Sequence, residues 1–416
     1  MRLIVQKYGG TSVATPERIC NVARRIVQTQ REGCRVVAVI SAMAGVTDEL
    51  IKLARAISPH PTDRELDILL ATGEHAATAL TTMAVNALGG TAISLTGAQA
   101  GILTDRNHTK ARIANISPKQ IHEMLSEDYI VIVAGFQGQT PEGETTTLGR
   151  GGSDLTAIAL AGALNADLCQ IFTDVDGVFT CDPRAVLAAK KLDEIAYDEL
   201  LEMASTGSKV VQSRAVEFAK KFGVKFEVRS SFNKRRGTVA KEETTSMEDV
   251  VIRGISLDRH QAKLTITGVR DQPGIAGRIF SNIAAAHIIV DMIVQNASIG
   301  GTTDISFTIH EDELENARKI LMPVVSEVGA KRLNTASGVA KLSVVGIGMR
   351  SHSGVAAHVF ECLGKAGINI QLVSTSEIKI AVIIDEKDAE RAAQLIHAEF
   401  GLARLMPAVR GTVALV

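Results

Sequence analysis

The C-terminal part of the chain contains an internal repeat, and this repeat restricts the fold more than any other feature. Residues 263–269 (KLTITGV) match residues 341–347 (KLSVVGI), and GIA at 274–276 and GVA at 354–356 follow them. Each copy predicts the order strand, glycine turn, helix, strand, strand, helix, strand, which is the ferredoxin-like arrangement. The repeat is too short for an enzyme core and has no cluster of His, Cys or carboxylates, so we expect it to bind ligands rather than catalyse.

The N-terminal part, residues 1–232, has a different rhythm, in which short β-branched runs alternate with helical patterns. Strands are predicted at 3–8, 36–41, 91–96, 129–134, 168–175 and 226–229, and helices at 16–32, 48–57, 73–88 and 153–165. This alternation predicts an α/β domain with a mostly parallel sheet and helices on both faces. In such sheets, ligands bind at the carboxyl ends of the strands.

The domain boundaries follow from a change of composition after residue 232. Residues 233–262 begin with a polar, charged stretch that predicts an exposed linker. The two copies of the repeat then define ferredoxin-like domains at 263–335 and 341–416.

Charge and cysteine content exclude several classes of function. The 45 basic and 46 acidic residues nearly cancel, so no overall field attracts nucleic acid or an anionic membrane. The five scattered cysteines form no CxxC pair and no metal-ligand spacing, so no protein metal site is predicted. There is no signal-peptide pattern and no apolar run of membrane-spanning length. We expect a cytoplasmic protein with no nucleic-acid or membrane partner.

The first strand runs directly into residues 7–12 (KYGGTS). Gly9 and Gly10 allow the backbone to approach a phosphate closely, and the next helix supplies unpaired N–H groups. Thr15 is the expected N-cap of that helix and Pro16 its first residue. Glycine-rich turns are common at strand ends, so an ordinary tight turn is an equal alternative on these residues alone.

Residues 147–154 (TLGRGGSD) precede an apolar helix and form the strongest internal motif. Ser153 or Asp154 is expected to cap this helix, and the glycines permit backbone contact with an anion. The Arg150 guanidinium suits a carboxylate or a phosphate. The alternative, a capped helix after a flexible loop, leaves Arg150 unexplained.

A third motif, residues 173–180 (TDVDGVFT) with 182–184 (DPR), follows another predicted strand. Its closely spaced acids and Arg184 suit a nucleotide with Mg²⁺, although an Asx-rich turn fits the local sequence as well. Neither a P-loop motif nor a dinucleotide-binding GxGxxG motif occurs in the chain.

Taken in order, these motifs resemble those of the aspartate kinases of the amino acid kinase fold. The resemblance rests on residues 7–12, 39–43 (VISAM), 73–74 (GE), 149–154 and 173–177, and the tail resembles the tandem ACT domains of that family at 271–274 (DQPG) and 374–378 (STSEI). It covers essentially the whole chain. It implies that ATP, with Mg²⁺, phosphorylates the side-chain carboxylate of L-aspartate to give 4-phospho-L-aspartate and ADP, the first step toward lysine, threonine and methionine.

The resemblance also implies roles for individual residues. Lys7 would neutralise charge on the transferred phosphoryl group, and Asp154 would orient Lys7. The implied aspartate-binding residues are Ser41, Thr47, Glu74, Arg150 and Ser153. The implied nucleotide-binding residues are Lys7, Gly9, Gly10, Thr173, Asp174, Asp176, Phe179, Arg184 and Lys209, although the family more often has Tyr where Phe179 stands.

For the tail, the resemblance implies feedback by lysine, threonine or both in a homodimer or homotetramer that assembles through the ACT domains. The implied effector-binding residues are Asp271, Gly274, Ala276, Asp291, Gln295, Asn369, Ile370 and Ser376. Whether an internal start near Met247 produces a separate regulatory subunit is left open.

Two other functions compete with this hypothesis. A kinase of the same fold could act on another acyl acceptor, such as N-acetylglutamate, glutamate or carbamate, but the tandem repeat and the motif at 39–43 argue against it. A non-catalytic amino-acid sensor is the other alternative, and the presence of Lys7, Glu74, Arg150 and Asp154 argues against that.

Overall fold

The buried apolar runs of the N-terminal part form the central strands of an eight-stranded sheet in this computed structural model of the chain. The structure describes residues 1–205, 210–244, 251–298, 300–350, 352 and 354–403. Residues 1–178, 191–204 and 210–244 form one compact unit, here called the N-terminal unit. The remaining described residues, including 179–190, form the C-terminal unit.

The main secondary structure of the N-terminal part alternates between strands and helices as predicted. The strands are β1 (Arg2–Tyr8), β2 (Cys34–Ile40), β3 (Ala92–Leu95), β4 (Ile102–Thr104), β5 (Ile113–Ile116), β6 (Ile130–Ala134), β7 (Gln137–Gln139), β8 (Thr145–Thr147), β9 (Leu168–Thr173), β10 (Glu194–Ala196), β11 (Phe226–Ser230) and β12 (Thr238–Lys241). The helices are α1 (Pro16–Arg31), α2 (Val46–Ile57), α3 (Asp63–Ala87), α4 (Lys119–Ser126), α5 (Gly152–Ala163), α6 (Tyr197–Ser205) and α7 (Ser213–Phe222).

The large sheet has the strand order β10-β12-β11-β9-β1-β2-β6-β3. Its pairs are parallel except β11 with β12. On one face, α1 packs Ile19 and Val22 against Val36 and Ala38 of β2, while α5 contacts β1, β2 and β9. The predicted mostly parallel sheet with flanking helices is therefore confirmed.

A smaller sheet of four strands, in the order β5-β4-β7-β8, was not predicted from the sequence. Its strands are only three or four residues long, and two of them read Gln-Gly-Gln and Thr-Thr-Thr. Segments of three or four residues are too short to show a period-2 apolar pattern, so the sequence offers no signal for them. Strand β8 ends immediately before the loop that carries Arg150.

Helix α3 is the longest helix of the described chain and carries two buried acids, Asp67 and Glu74, seven residues apart. Residues spaced by seven lie on the same face of a helix, so both carboxylates point toward the protein interior. Helix α3 therefore presents charge to the core. None of the helices in the described ranges combines the length and the apolar character that crossing a bilayer requires.

The prediction of an exposed linker at 233–262 is wrong for two stretches. Residues 238–241 form β12, whose Thr238 and Ala240 are fully buried, and a long strand begins at Gly254. Strand β12 was not predicted because its neighbours in sequence are polar and because it contributes only two buried side chains to the large sheet.

The C-terminal unit contains the two copies of the repeat. Its strands are β13 (Gly254–Arg270), β14 (Val290–Gln295), β15 (Thr302–His310), β16 (Arg332–Val345), β17 (Leu372–Ser376) and β18 (Lys379–Asp385), and its helices are α8 (Ile275–Ala285), α9 (Leu314–Glu327), α10 (Val355–Lys365) and α11 (Ala389–Glu399). All six strands form one sheet, in the order β14-β15-β13-β16-β18-β17.

The two modules share their central strands. Residues 261–267 of β13 pair with the first half of β16 in the first module, whereas residues 254–258 pair with residues 341–345 in the second. The second module, predicted to begin at residue 341, thus takes a strand from a segment that precedes the first module. The ferredoxin-like pattern is confirmed, but within the described chain the second copy is not contiguous in sequence.

Candidate functional site

The glycine turn after β1 is held closely against the loop that follows β2. Gly9 N–H donates to the carbonyl of Phe172 at 3.2 Å, and the Gly10 carbonyl accepts from the N–H of Ala44 at 3.2 Å. A Cβ atom on Gly10 would lie 2.8 Å from the Ala42 carbonyl oxygen, so only glycine fits there. The strand end and its glycine turn therefore lie where the carboxyl ends of parallel strands meet.

The helix after this turn begins at the residue that the sequence predicted, and a 3₁₀ turn separates it from Gly9. The 3₁₀ turn (Gly10–Val13) begins at the second glycine, and α1 starts at Pro16. Thr15 caps α1 through its hydroxyl, which accepts from Arg18 N–H at 3.4 Å, as the sequence predicted. The backbone next to Gly9 and Gly10 is thus that of the 3₁₀ turn rather than the first turn of α1.

Lys7 and Asp154 form an ion pair at this edge of the sheet. The Lys7 Nζ atom lies 2.7 Å from Asp154 Oδ1, and the two side chains are only 12% and 11% exposed. Lys7 is the penultimate residue of β1, and Asp154 lies in the first turn of α5. A strand and a helix far apart in sequence therefore bring a cation and a carboxylate together beside the glycine turn.

The predicted capping role of Ser153 or Asp154 is wrong. Gly151, with φ of 72°, is the N-cap of α5, and no side chain of the described residues caps this helix. Both predicted residues lie inside the first turn, where Asp154 is directed to Lys7 instead. Ser153 is buried, and its hydroxyl lies against Gly135 at the end of β6.

Glu74 is buried at the same edge of the sheet. Its Oε1 atom accepts from the N–H of Ala42 at 3.1 Å, whereas Oε2 is buried and has no hydrogen-bond partner among the described residues. Desolvation raises the pKa of Glu74 to about 7, although the bond from Ala42 opposes this shift. The second carboxylate oxygen is therefore a buried acceptor whose hydrogen-bonding capacity is unused among the described residues.

The other candidate substrate residues lie on neighbouring loops. Ser41 follows β2, and its N–H donates to the Tyr8 carbonyl at 3.1 Å. Thr47 is half-buried in the first turn of α2. Arg150 lies exposed between Gly149 and Gly151, and in the described chain its guanidinium makes no hydrogen bond or ion pair.

The candidate nucleotide loop divides between the two units. Thr173 ends β9, and its hydroxyl donates to exposed Asp174 at 3.1 Å. Asp176 accepts from the Asn233 amide at 2.6 Å and lies 3.7 Å from Arg235, so its carboxylate already has partners. Phe179 and Arg184 belong to the C-terminal unit, where the Arg184 side chain is 89% exposed. Lys209, like Met247, lies outside the described residues.

Two cavities in the C-terminal unit contain most of the predicted effector residues. Asp271, Gly274, Ala276 and Gln295 line a cavity of ≈ 330 Å³ in the first module. Ser376 lines a cavity of ≈ 500 Å³ in the second module.

Three predicted effector residues line neither cavity. Asp291 forms an ion pair with buried Lys341, Ile370 packs on the core of the second module, and Asn369 is exposed.

The second cavity contains residues that the sequence reasoning did not select. Arg350 Nε and Glu377 Oε2 form an ion pair at 3.0 Å there, and Gly354 and Thr375 also line the cavity. The repeat itself carried the signal for Gly354, because this residue corresponds to Gly274. Both glycines have φ of 92° and precede the first helix of their modules.

Comparison with known proteins gives the same organisation. Residues 2–230 match the amino acid kinase family, and residues 264–322 and 342–400 each match the ACT domain. The aspartate kinase of Pseudomonas fluorescens (strain SBW25) is 52% identical over 405 residues, which cover 97% of this chain and 98% of that protein.

Two solved structures of an Escherichia coli enzyme are also similar over nearly the full length. Aspartokinase III in complex with aspartate and ADP (R-state) is 26% identical, with a TM-score of 0.81, and the match covers 96% of this chain and 99% of that one. The same enzyme with lysine and aspartate (T-state) is 27% identical, with a TM-score of 0.77 and the same coverage. By sequence and by structure, this chain belongs to the aspartate kinases of the amino acid kinase family and carries two ACT domains.

Proposed function

We propose that this chain transfers the γ-phosphoryl group of ATP to the side-chain carboxylate of L-aspartate, giving 4-phospho-L-aspartate and ADP. The observation that carries this proposal is the Lys7–Asp154 ion pair of 2.7 Å beside the Gly9-Gly10 turn. It places a fixed cation where a phosphate can approach the backbone closely. The names of the relatives and the aspartate and ADP in the Escherichia coli enzyme support the same substrates.

The reaction needs neutralised charge rather than a general base. The aspartate side chain, with an ordinary pKa of about 3.9, is already ionised at neutral pH. Its oxygen forms a bond to the γ-phosphorus while the bond from that phosphorus to the β–γ bridging oxygen breaks, and the electron pair leaves on ADP. Lys7 stabilises the negative charge that spreads over the transferred group. The Asp154 carboxylate forms an ion pair with Lys7 and holds it in place.

The amino-acid substrate is held by residues of opposite charge. Glu74 offers its unpartnered Oε2 atom to the substrate ammonium group, and a nearby cation favours the ionised form of a carboxyl group whose pKa is near 7. The unpaired Arg150 guanidinium binds a substrate carboxylate as a planar fork. Ser41, Thr47 and Ser153 complete the set with hydroxyl groups.

The nucleotide lies against Gly9, Gly10, Thr173 and Asp174, with the further candidates Asp176, Phe179, Arg184 and Lys209. Mg²⁺ is usually held by one or two carboxylates together with phosphate oxygens of the nucleotide. The described residues contain no cluster of three or more metal-binding side chains. The carboxylates of this site therefore suit a magnesium ion that arrives with the nucleotide. Asp154 and exposed Asp174 would hold it. When bound, the ion adds neutralising charge on the phosphates.

The two cavities of the C-terminal unit are proposed to bind lysine, threonine or both as feedback inhibitors. Lysine in the T-state structure of the Escherichia coli enzyme supports this class of ligand. Inhibition requires that the effector bind a less active arrangement more tightly than the active one. We place this regulation in a homodimer or homotetramer that assembles through the ACT domains and acts in the cytoplasm.

Release of ADP, measured with one acceptor at a time, tests the substrate. We expect turnover with L-aspartate and none with glutamate, N-acetylglutamate or carbamate. Turnover with only one of the other acceptors would mean that this acceptor, and not L-aspartate, is the substrate. No turnover with any of them would favour the alternative of a non-catalytic amino-acid sensor.

Substitution Lys7→Ala tests the catalytic cation. Loss of one preorganised charge from such a site lowers kcat by about 10²–10³-fold or more. The variant should keep the circular dichroism spectrum of the wild type. A folded Lys7→Ala enzyme with most of its kcat would contradict the role of Lys7.

A further inference from the structure

Two glycines flank Arg150, so the sequence of this loop does little by itself to fix the loop's conformation. Gly149 and Gly151 have φ of 77° and 72°, a region that glycine enters freely. Gly152 N–H donates to the Gly149 carbonyl at 2.9 Å, which closes a tight turn around Arg150. Since the Arg150 side chain makes no hydrogen bond or ion pair in the described chain, its direction depends on where the backbone of this turn is held.

Arg214, in the first turn of α7, holds the entry to the turn. Its Nη1 atom donates to the Leu148 carbonyl at 2.7 Å, and its Nη2 atom donates to the Ala111 carbonyl at 3.1 Å. Leu148 is fully buried and directly precedes Gly149. One guanidinium therefore joins two backbone segments with both arms of its fork.

Gln212, the N-cap of α7, lies against the exit from the turn. A Cβ atom on Gly151 would lie only 2.0 Å from Gln212 Cγ, so the Gln212 stem packs directly on the Gly151 backbone. The same side chain accepts from Arg214 N–H at 2.8 Å. The start of α7 thus contacts the turn at both ends, with Arg150 between the two contacts.

The strand before the turn is anchored independently. The Thr147 hydroxyl donates to fully buried Asp67 of α3, which also accepts from the N–H of Thr109 at 3.0 Å. The position of Thr147 is therefore set by α3, and the next backbone carbonyl, that of Leu148, is held by Arg214.

We propose that Arg214 is a positioning residue for substrate binding, which sets the direction of the Arg150 guanidinium by fixing the Leu148 carbonyl. This inference rests on the proposed function, in which Arg150 binds a carboxylate of L-aspartate. Arg214 acts through the backbone and touches neither substrate nor nucleotide. Lysine cannot replace it, because a single ammonium group cannot reproduce the planar fork that reaches both carbonyls.

The test compares Arg214→Lys and Arg214→Gln with wild type, with Arg150→Ala in parallel. Arg31→Lys is the matched control, because Arg31 also donates to a backbone carbonyl, that of Leu88, but at the end of α1. For each protein, steady-state kinetics give kcat and the KM for L-aspartate and for ATP, and thermal unfolding gives Tm.

We expect both Arg214 variants to raise the KM for L-aspartate by about tenfold, because small misplacements of a binding group can be this costly, while the KM for ATP changes little. Arg31→Lys should change neither. If the Arg214 variants only lower Tm, or raise both KM values equally, Arg214 is merely structural and the inference is wrong.

Arg150→Ala separates the two proposals. If Arg150→Ala raises the KM for L-aspartate and the Arg214 variants do not, the inference fails while the proposed role of Arg150 stands. If Arg150→Ala leaves that KM unchanged, the proposed aspartate site is wrong and the inference falls with it. Should Arg214→Gln fail to fold, Arg214→Lys, which keeps the stem and the charge, decides the outcome.

Discussion

The first and second modules of the C-terminal unit share one backbone plan and differ in the exposed face of their second helix. Each module's first-strand lysine reaches the other module: Lys263 donates to Gln371 at 2.8 Å, and Lys341 pairs with Asp291. Helices α9 and α11 also align, so that Arg318 and Met322 of the first correspond to Ala393 and His397 of the second. The first two are 57% and 55% exposed, whereas the second two are 0% and 1% exposed.

The difference arises because residues 179–190 pack on the second module. The Thr180 hydroxyl and His397 Nε2 are 2.9 Å apart, and the Gln394 amide donates to the Ala185 carbonyl at 2.9 Å. Cys181 belongs to the same buried cluster as the core of this module. The repeated sequence therefore gives both modules the same kind of core. The residues on the outer face of α9 and α11 differ because, in the described chain, a further segment packs only on α11.

The largest expected effect on stability comes from giving the second module, at position 393, the arginine that the first module has at the corresponding position 318. Ala393→Arg should lower the free energy of unfolding by about 3 kcal/mol or more, because an arginine at this covered site is overpacked and unpaired. The converse change, Arg318→Ala, should stay within about 0.5 kcal/mol, since Arg318 is exposed. Urea unfolding of both variants measures this contrast. Equal effects would show that the two helix faces are equivalent after all.

A smaller effect is expected from the cavities. Ser376→Phe should fill the second cavity and raise the concentration of lysine, threonine or their mixture that half-inhibits the enzyme by about 5–150-fold, the usual range of allosteric coupling. Gln295→Ala should do the same for the first cavity. Inhibition is measured relative to the uninhibited rate of each variant. A shift with only one of the two variants would make the modules functionally unequal, and no shift with either would contradict effector binding in these cavities.

The smallest effect concerns pH. Burial lowers the pKa of His397 below its ordinary value of 6.5, so the unfolded chain binds a proton more readily than the folded one in this range. The stability that neutral His397 contributes is therefore present above pH 6.5 and is lost as the pH falls through the lowered pKa. His397→Met, which introduces the first module's residue, should flatten this dependence in urea unfolding measured from about pH 7 to 5. Identical slopes for the two proteins would contradict the prediction.

The parts of the fold that the sequence predicted are those with a strong local pattern. The six predicted strands of the large sheet and the α1 start at Pro16 agree with the structure because their apolar periodicity and capping residues are local signals. The strands β4, β5, β7, β8, β10 and β12 were missed because each has only three or four residues, too few to show an apolar period. The cap of α5 was assigned wrongly, because Asp154 in a capping sequence is drawn to Lys7 from a distant strand.

The sequence by itself determined the order of the elements, the repeat and the chemical types of the candidate residues, because all of these depend on neighbours along the chain. Only the tertiary structure decided which groups have partners. It buried Glu74 with one oxygen that has no partner among the described residues, joined Arg214 to the Leu148 carbonyl, and gave the second module a strand from residues 254–258. These features depend on contacts between segments far apart in sequence, and the energy of such contacts appears in no local pattern.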